Sequence, residues 1–278
     1  MSIDAATSSG GLTTQLRIQG MRLTDKTQWA ERHAGGKSAL PRLDVHAPMF
    51  RERHAWFGRL LPRNPNWTVL EIGAFPGTNL RYFHDHFGFQ PWGVEYVEGS
   101  AQEAQRLLDD AGVPGRILAR DVFELMPDEA PGAAGWDVTV SFGFIEHFAD
   151  PTDAIVKHVE LTKPGGWILL SVPNHAGLNG TVMRWLDRDK WAQHNLMPLR
   201  TMEASIRRLP DAGLVDARHL GRFGFWNAGI YSKAKRDYPS LYPAIRAPLW
   251  TAEHLGQWLV PNNPWSSPEL VAALRKLG

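Results

Sequence analysis

A doubly wound α/β sheet is the fold that this chain of 278 residues predicts. Three observations carry the prediction. Apolar runs of strand length recur through the middle of the chain. A single segment of helical periodicity follows most of them, which is the signature of parallel strands joined by crossover helices. The first run, in "VLEIGAFPGTNL" (69–80), ends in glycines directly before a helix start. The length suits one large domain carrying a lid or an insertion.

The elements follow in order. Residues 1–20 are small and polar, lack the basic and apolar regions of a signal peptide, and are expected to be a disordered tail. Residues 21–66 are expected to form an N-terminal helical or lid segment ahead of the sheet. "WTVLEIGA" (67–74) is a central strand, and "GTNLRYFHDHF" (77–87) spaces Leu80, Phe83 and Phe87 at helical intervals. "PWGVEY" (91–96) is a second strand, and "SAQEAQRLLDDAG" (100–112) is a helix closed by Gly112. "GRILARDV" (115–122) and "WDVTVSFGF" (136–144) give strands three and four. The stretch 151–166 is a helix with a Pro start and a Pro-Gly-Gly stop, followed by strand five, "WILLSVPN" (167–174).

The pattern then changes. Residues 176–209 contain amphipathic helical pieces in the position of a cap inserted over the site. "LVDARHLGRFGFWN" (214–227) is a sixth strand, and 234–260 reads as a helical insertion with scattered Trp and Leu. The ending "SPELVAALRK" (267–276) reads either way, since propensity favours helix and position favours a closing strand.

Composition excludes several function classes. Lys plus Arg number 30 against 29 Asp plus Glu, a formal charge of +1, so the chain lacks the basic field that holds a nucleic acid. The absence of cysteine rules out disulfides, thiolate metal sites and a Cys nucleophile. The longest apolar runs are far too short for a membrane span, so no membrane partner is expected and a soluble cytoplasmic protein is. The sequence does not address oligomeric state. Twelve Trp against five Tyr supply large flat surfaces, for the core or for a pocket that takes a planar small molecule.

The glycine loop narrows the cofactor. A dinucleotide fingerprint counted from Gly73 would place glycines where Phe75 and Thr78 stand, and a phosphate-binding loop would require a Gly-Lys-Ser/Thr that is missing. Glu71, Gly73 and Gly77 remain. They suit a cofactor with an amino-acid end, whose carboxylate a helix N-terminus can receive and whose ammonium a buried carboxylate can hold. Glu95 ends strand two, where a carboxylate can accept both hydroxyls of a ribose. Asp121 ends strand three, where it can accept from an exocyclic adenine amine.

Taken together, "VLEIGAFPGTNL", "WGVEY", "ARDV", "WDVTVSFGFIEHFADP" and "LTKPGGWILLSVPN" resemble the successive motifs of class I S-adenosylmethionine-dependent methyltransferases, closely over 67–174. The resemblance implies a Rossmann-like seven-stranded sheet with its last strand antiparallel, which makes "PELVAALRK" that strand. It implies S-adenosyl-L-methionine as cofactor. Glu71, Gly73, Ala74, Phe75, Gly77 and Asn79 would lie around the methionine end. Glu95 and Tyr96 would bind ribose, Asp121 and Val122 would frame adenine, and Ser141 and Phe142 would line the methionine and sulfonium region.

His147 in "FIEHF" is the nearest candidate for a catalytic base, the alternative being a packing role at a strand-to-helix turn. Ubiquinone-biosynthesis O-methyltransferases, which this segment is similar to, carry a metal-linked E-x-x-E-H pattern. Here Gly143 replaces its first carboxylate, so no metal is predicted. His175, His194 and Asn195 are candidate substrate contacts in the cap. Trp29 is a candidate lid residue whose ring would attract a sulfonium, or else a core residue. The expected activity is methyl transfer to a small-molecule acceptor, with O-methylation of an aromatic or natural-product-like substrate preferred. N- or C-methylation, a cofactor-binding module without turnover, and an NAD-dependent oxidoreductase are the alternatives.

Overall fold

The computed structural model describes residues 22–278, and the expected tail at 1–20 lies outside the described residues. Two helices, α1 (Lys26–His33) and α2 (Pro48–Leu60), precede the sheet. Then come β1 (Thr68–Ile72), α3 (Thr78–Phe87), β2 (Gln90–Glu95), α4 (Glu98–Asp110), β3 (Arg116–Ala119), β4 (Trp136–Phe142), α5 (Thr152–Leu161) and β5 (Thr162–Pro173). Three helices follow: α6 (Leu178–Leu186), α7 (Arg188–Ala192) and α8 (Leu199–Arg207). The chain closes with β6 (Ala212–Leu220), α9 (Ile230–Asp237), α10 (Tyr242–Leu259) and β7 (Glu269–Lys276). No helix among the described residues is long and apolar enough to cross a membrane.

All seven strands form one sheet in the order β3-β2-β1-β4-β5-β7-β6. β1 to β5 pair in parallel, whereas β7 runs antiparallel between β5 and β6. Strand order reverses between β1 and β4, and a sheet of this kind opens its ligand crevice at the carboxyl ends beside such a reversal. The seven-stranded, Rossmann-like expectation is met, including the antiparallel last strand.

Alternation along the strands divides the core between the two faces of the sheet. Val69, Val138, Leu169 and Val271 point to one face, where Trp56, Phe57, Phe83 and Phe89 pack. Ile168, Leu170 and Val172 point to the other, against Ile155, Met202 and Ile206. Full burial of each such side chain is worth roughly 1.5–3 kcal/mol.

Several boundaries differ from those predicted. The Pro-Gly-Gly read as a helix stop lies within the first residues of β5, because α5 ends at Leu161 and the chain extends at once. The β4–β5 register shifts there, between Trp136 and Val138. Only glycine fits at Gly166, where a Cβ would stand 2.6 Å from Thr162 Cγ2 and 2.8 Å from the Asp137 carbonyl oxygen. β6 stops at Leu220 instead of reaching 227, since Gly221 takes φ +91° against Pro268. β3 stops at Ala119, and Asp121 instead caps a short 3-10 turn, its Oδ1 accepting from Phe123 N at 3.2 Å. At 269–276, pairing on both edges outweighs helical propensity.

Candidate active site

A cavity lies over the carboxyl ends of β1 to β4. Ile72 and Gly73, then Val94 to Tyr96, Arg120 to Val122, and Phe142 to Phe144 form its floor. Arg22, Thr24, Trp29, His33, Phe75, His147 and Phe148 form its walls and roof. Of the residues predicted from sequence, the structure therefore brings Gly73, Phe75, Glu95, Tyr96, Asp121, Val122, Phe142, Trp29 and His147 together around one space.

Local geometry explains the glycines. Gly73 leaves β1 with φ +76°, and Gly77 caps α3 with φ +97°. A Cβ on Gly77 would also stand 3.2 Å from Leu108 Cδ2. Left-handed backbone and close packing thus both select glycine there. Ala74 is buried and packs on β2, where a Cβ at Gly93 would meet it at 2.5 Å.

Beneath this loop lies Glu71, 3% exposed. Asn79 Nδ2 donates to its Oε1 at 2.6 Å, while Oε2 has no partner. Burial pushes the carboxyl up to about 8, opposed by the Asn79 bond and by the Leu80 amide and reinforced by nearby Glu95. Ser141 Oγ, on β4 and in register with Ile72 of β1, is likewise buried without a partner. Glu95 accepts from Val97 N at 2.9 Å. Burial raises its pKa, and the amides of Val97, Phe75 and Tyr96 pull it back.

The N-terminal segment closes the cavity beside Asp121. Arg22 donates to both carboxylate oxygens of Asp121, at 2.8 and 2.6 Å, and its guanidinium lies 4.7 Å from the Tyr96 ring centroid. Leu23 N donates to the His147 carbonyl at 2.7 Å, and Arg22 bridges Phe148 in antiparallel fashion. On α1, Trp29 and His33 share a face four residues apart. His33 stacks on Phe75 at 4.2 Å, and Trp29 meets the His147 ring edge-on at 4.9 Å.

On the β4 side of the cavity three histidines adjoin. Ring centroids of His147 and His194, and of His194 and His175, are each 4.6 Å apart. His147 Nδ1 lies 2.9 Å from the Gln193 carbonyl and His194 Nδ1 lies 2.7 Å from that of Lys190. A carbonyl only accepts, so each Nδ1 carries the proton and each Nε2 keeps its lone pair. Burial, with the neighbouring histidine second, pushes His147 and His175 down to about 3. Burial likewise holds His194 at about 4. Glu146 is 2% exposed, and burial pushes its carboxyl up to about 8. Asn195 braces the turn, with its N–H on the Glu146 carbonyl and its side-chain amide on those of Phe148 and Ala149.

Sequence reasoning did not select Arg22 or Thr24, which reach the cavity through tertiary contacts without a local signature, nor Gly143, Phe144 and Phe148, which follow the end of β4 inside a motif it had quoted. His33 had a signal in its spacing from Trp29.

A seven-stranded sheet with a reversed last strand, and an acid-lined crevice where strand order reverses, defines a class I S-adenosylmethionine-dependent methyltransferase domain. The family model described as "Methyltransferase domain" matches residues 44–219, well over half of the chain, and the chain belongs to that family. It is 29% identical over 120 residues to the ubiquinone biosynthesis O-methyltransferase of Leptothrix cholodnii, a match covering 43% of this chain and 49% of that protein. The chain spans about half the length of the first curated relatives it matches.

Among solved structures it is similar to geranyl diphosphate C-methyltransferase from Streptomyces coelicolor, with TM-score 0.55, 14% identity, and coverage of 81% of this chain and 78% of that one. It is also similar to phosphoethanolamine N-methyltransferase 2 of Haemonchus contortus, with TM-score 0.54, 18% identity, and coverage of 81% and 52%. At such identities the likeness is one of fold. The cofactor of the family is S-adenosyl-L-methionine.

Proposed function

We propose that the protein transfers a methyl group from S-adenosylmethionine to a small organic acceptor, with an oxygen nucleophile preferred. The observation that carries this reading is the unpartnered, buried Oε2 of Glu71 beside the left-handed Gly73. A buried carboxyl with an open lone pair is costly unless a ligand completes it, and an ammonium does so. Gly73, Gly77 and Asn79 would hold the amino-acid end together with Glu71, and Ser141 has a free hydroxyl at the adjoining strand end. Glu95 would take the ribose hydroxyls, and Tyr96, Asp121 and Val122 the base.

When bound, the cofactor supplies an activated methyl group on a sulfonium centre. The protein's part is alignment and exclusion of water. Trp29, His33 and Phe75 form an aromatic wall suited to a planar acceptor and to a nearby cation. His147, held neutral beside Trp29, offers a lone pair on the β4 side of the cavity. The similarity to ubiquinone-biosynthesis O-methyltransferases favours oxygen, although C- and N-methyltransferases share the fold.

Calorimetry with S-adenosylmethionine, S-adenosylhomocysteine and NAD tests the cofactor, and a panel of phenols, amines and carbon acids tests the acceptor. Heat with both sulfur compounds and methylation of a phenol are expected. No heat with either sulfur compound would overturn the reading, and heat without turnover on any acceptor would favour a binding module.

A further inference from the structure

The turn after β4 and the cap supply side chains that sequence spacing keeps apart. Glu146 and His147 are adjacent on the turn, and His194 follows α7. One donor atom from each lies within 4.8 Å of the others. His147 and His194 each turn a protonated Nδ1 to a backbone carbonyl and leave Nε2 free. Imidazoles that ligate metals are oriented by this kind of outer contact. Glu146 Oε2 is buried with no partner, and so is Nδ1 of His175, the ring behind His194.

We propose that Glu146, His147 and His194 form a binding site for a divalent transition ion of the zinc type. Two imidazole nitrogens and one carboxylate suit zinc, cobalt or iron, whereas magnesium prefers oxygen donors throughout. Three protein ligands leave a further position open, as in catalytic rather than structural sites. The sequence expectation of no metal rested on Gly143 replacing a carboxylate, and His194 of the cap is the donor it did not count. Arg32 and Lys190 face the same cluster and oppose a cation, so binding is weaker than in a closed structural site.

Because His147 also lines the cavity, the role of the ion rests on the methyltransferase reading. An acceptor hydroxyl on the ion would lose its proton to solvent at lower pH. The freed oxygen lone pair would form the bond to the methyl carbon while the carbon–sulfur bond breaks, its electron pair staying on sulfur.

The test uses the full chain, stripped with a chelator and titrated with Zn²⁺ against a chromophoric competitor. Co²⁺ is added in parallel and followed by its visible absorption. The expected result is one ion per chain, with affinity at least ~10-fold weaker in His194→Ala and in Glu146→Gln. His54→Ala, in the separate His54–His86 pair, should leave it unchanged. Imidazole nitrogen NMR of the unmodified protein provides a readout independent of variant folding, since Zn²⁺ should shift Nε2 of His147 and His194. Absence of stoichiometric binding, unshifted imidazoles, or affinity unchanged in both variants would overturn the site. S-adenosylhomocysteine binding measured on the same metal-free protein separates this failure from failure of the methyltransferase reading.

Discussion

The two ends of the cavity are built on opposite electrostatic plans. At the β1–β3 end, carboxylates dominate, each held by a named donor: Asn79 on Glu71, the Val97 amide on Glu95, and Arg22 on Asp121. At the β4 end, imidazoles dominate, kept neutral by burial first, then by His194 beside His147 and His175, and by Arg32 and Lys190 near His194. The first plan suits a ligand with ammonium, hydroxyl and amine groups to donate. The second suits a partner that takes lone pairs. Each end therefore selects its own class of ligand.

That contrast can be broken by substitution. His147→Ala is expected to lower turnover about 10²-fold while leaving S-adenosylhomocysteine affinity nearly unchanged. Single-turnover kinetics with calorimetry check this, and an equal loss in both would merge the two ends. Glu95→Ala acts on the other end. Loss of hydrogen bonds to a charged group, roughly 1.5–3 kcal/mol, should weaken the cofactor about 10- to 100-fold. Methylation at saturating cofactor should survive, and unchanged affinity would place the ribose elsewhere.

Gly93→Ala tests the frame beneath the acidic end. A Cβ at 2.5 Å from Ala74 and 2.7 Å from Ile117 should cost about 1–3 kcal/mol, read as a lowered Tm.

The smallest effect is a proton. Glu71, with its pKa raised to about 8, is largely protonated at pH 7 in the free protein. An ammonium beside it favours the carboxylate, so cofactor binding should release up to one proton. The binding heat should then depend on the buffer's ionisation enthalpy, and Glu71→Gln should abolish that dependence.

The linkage has opposite signs for the buried carboxyls and the buried imidazoles. Glu71 and Glu146 have raised folded pKa values, so the stability they contribute is full below about 4.5 and is lost as pH rises through about 8. The histidines have depressed folded values, so theirs is full above about 6.5 and is lost as pH falls toward 4 and 3.

Legibility in the sequence divides along the same line. Glu71, Glu95 and Asp121 stand at or just beyond the ends of successive strands, so periodicity alone put them in register. Phe75, which excluded a dinucleotide loop, proves to be part of the cavity wall. Asn195 and His194 were selected as polar residues in a cap. Their contacts, with the β4 turn and with His147, depend on how the chain after α7 folds back, and no local pattern encodes that. Arg22 was out of reach for the same reason, because its position is set by pairing with a segment more than a hundred residues away. The 267–276 ambiguity came from a strand whose environment, not its propensity, decides its state.

The placement of that strand bears on how the molecule is made. β6 pairs only with β7 among the described strands, and β7 lies nearly fifty residues downstream. During synthesis β1 to β5 can dock as they emerge, while β6 stays unpaired until 269–276 appears. The far edge of the sheet is thus completed in one late step, which inserts an interior strand between two waiting partners.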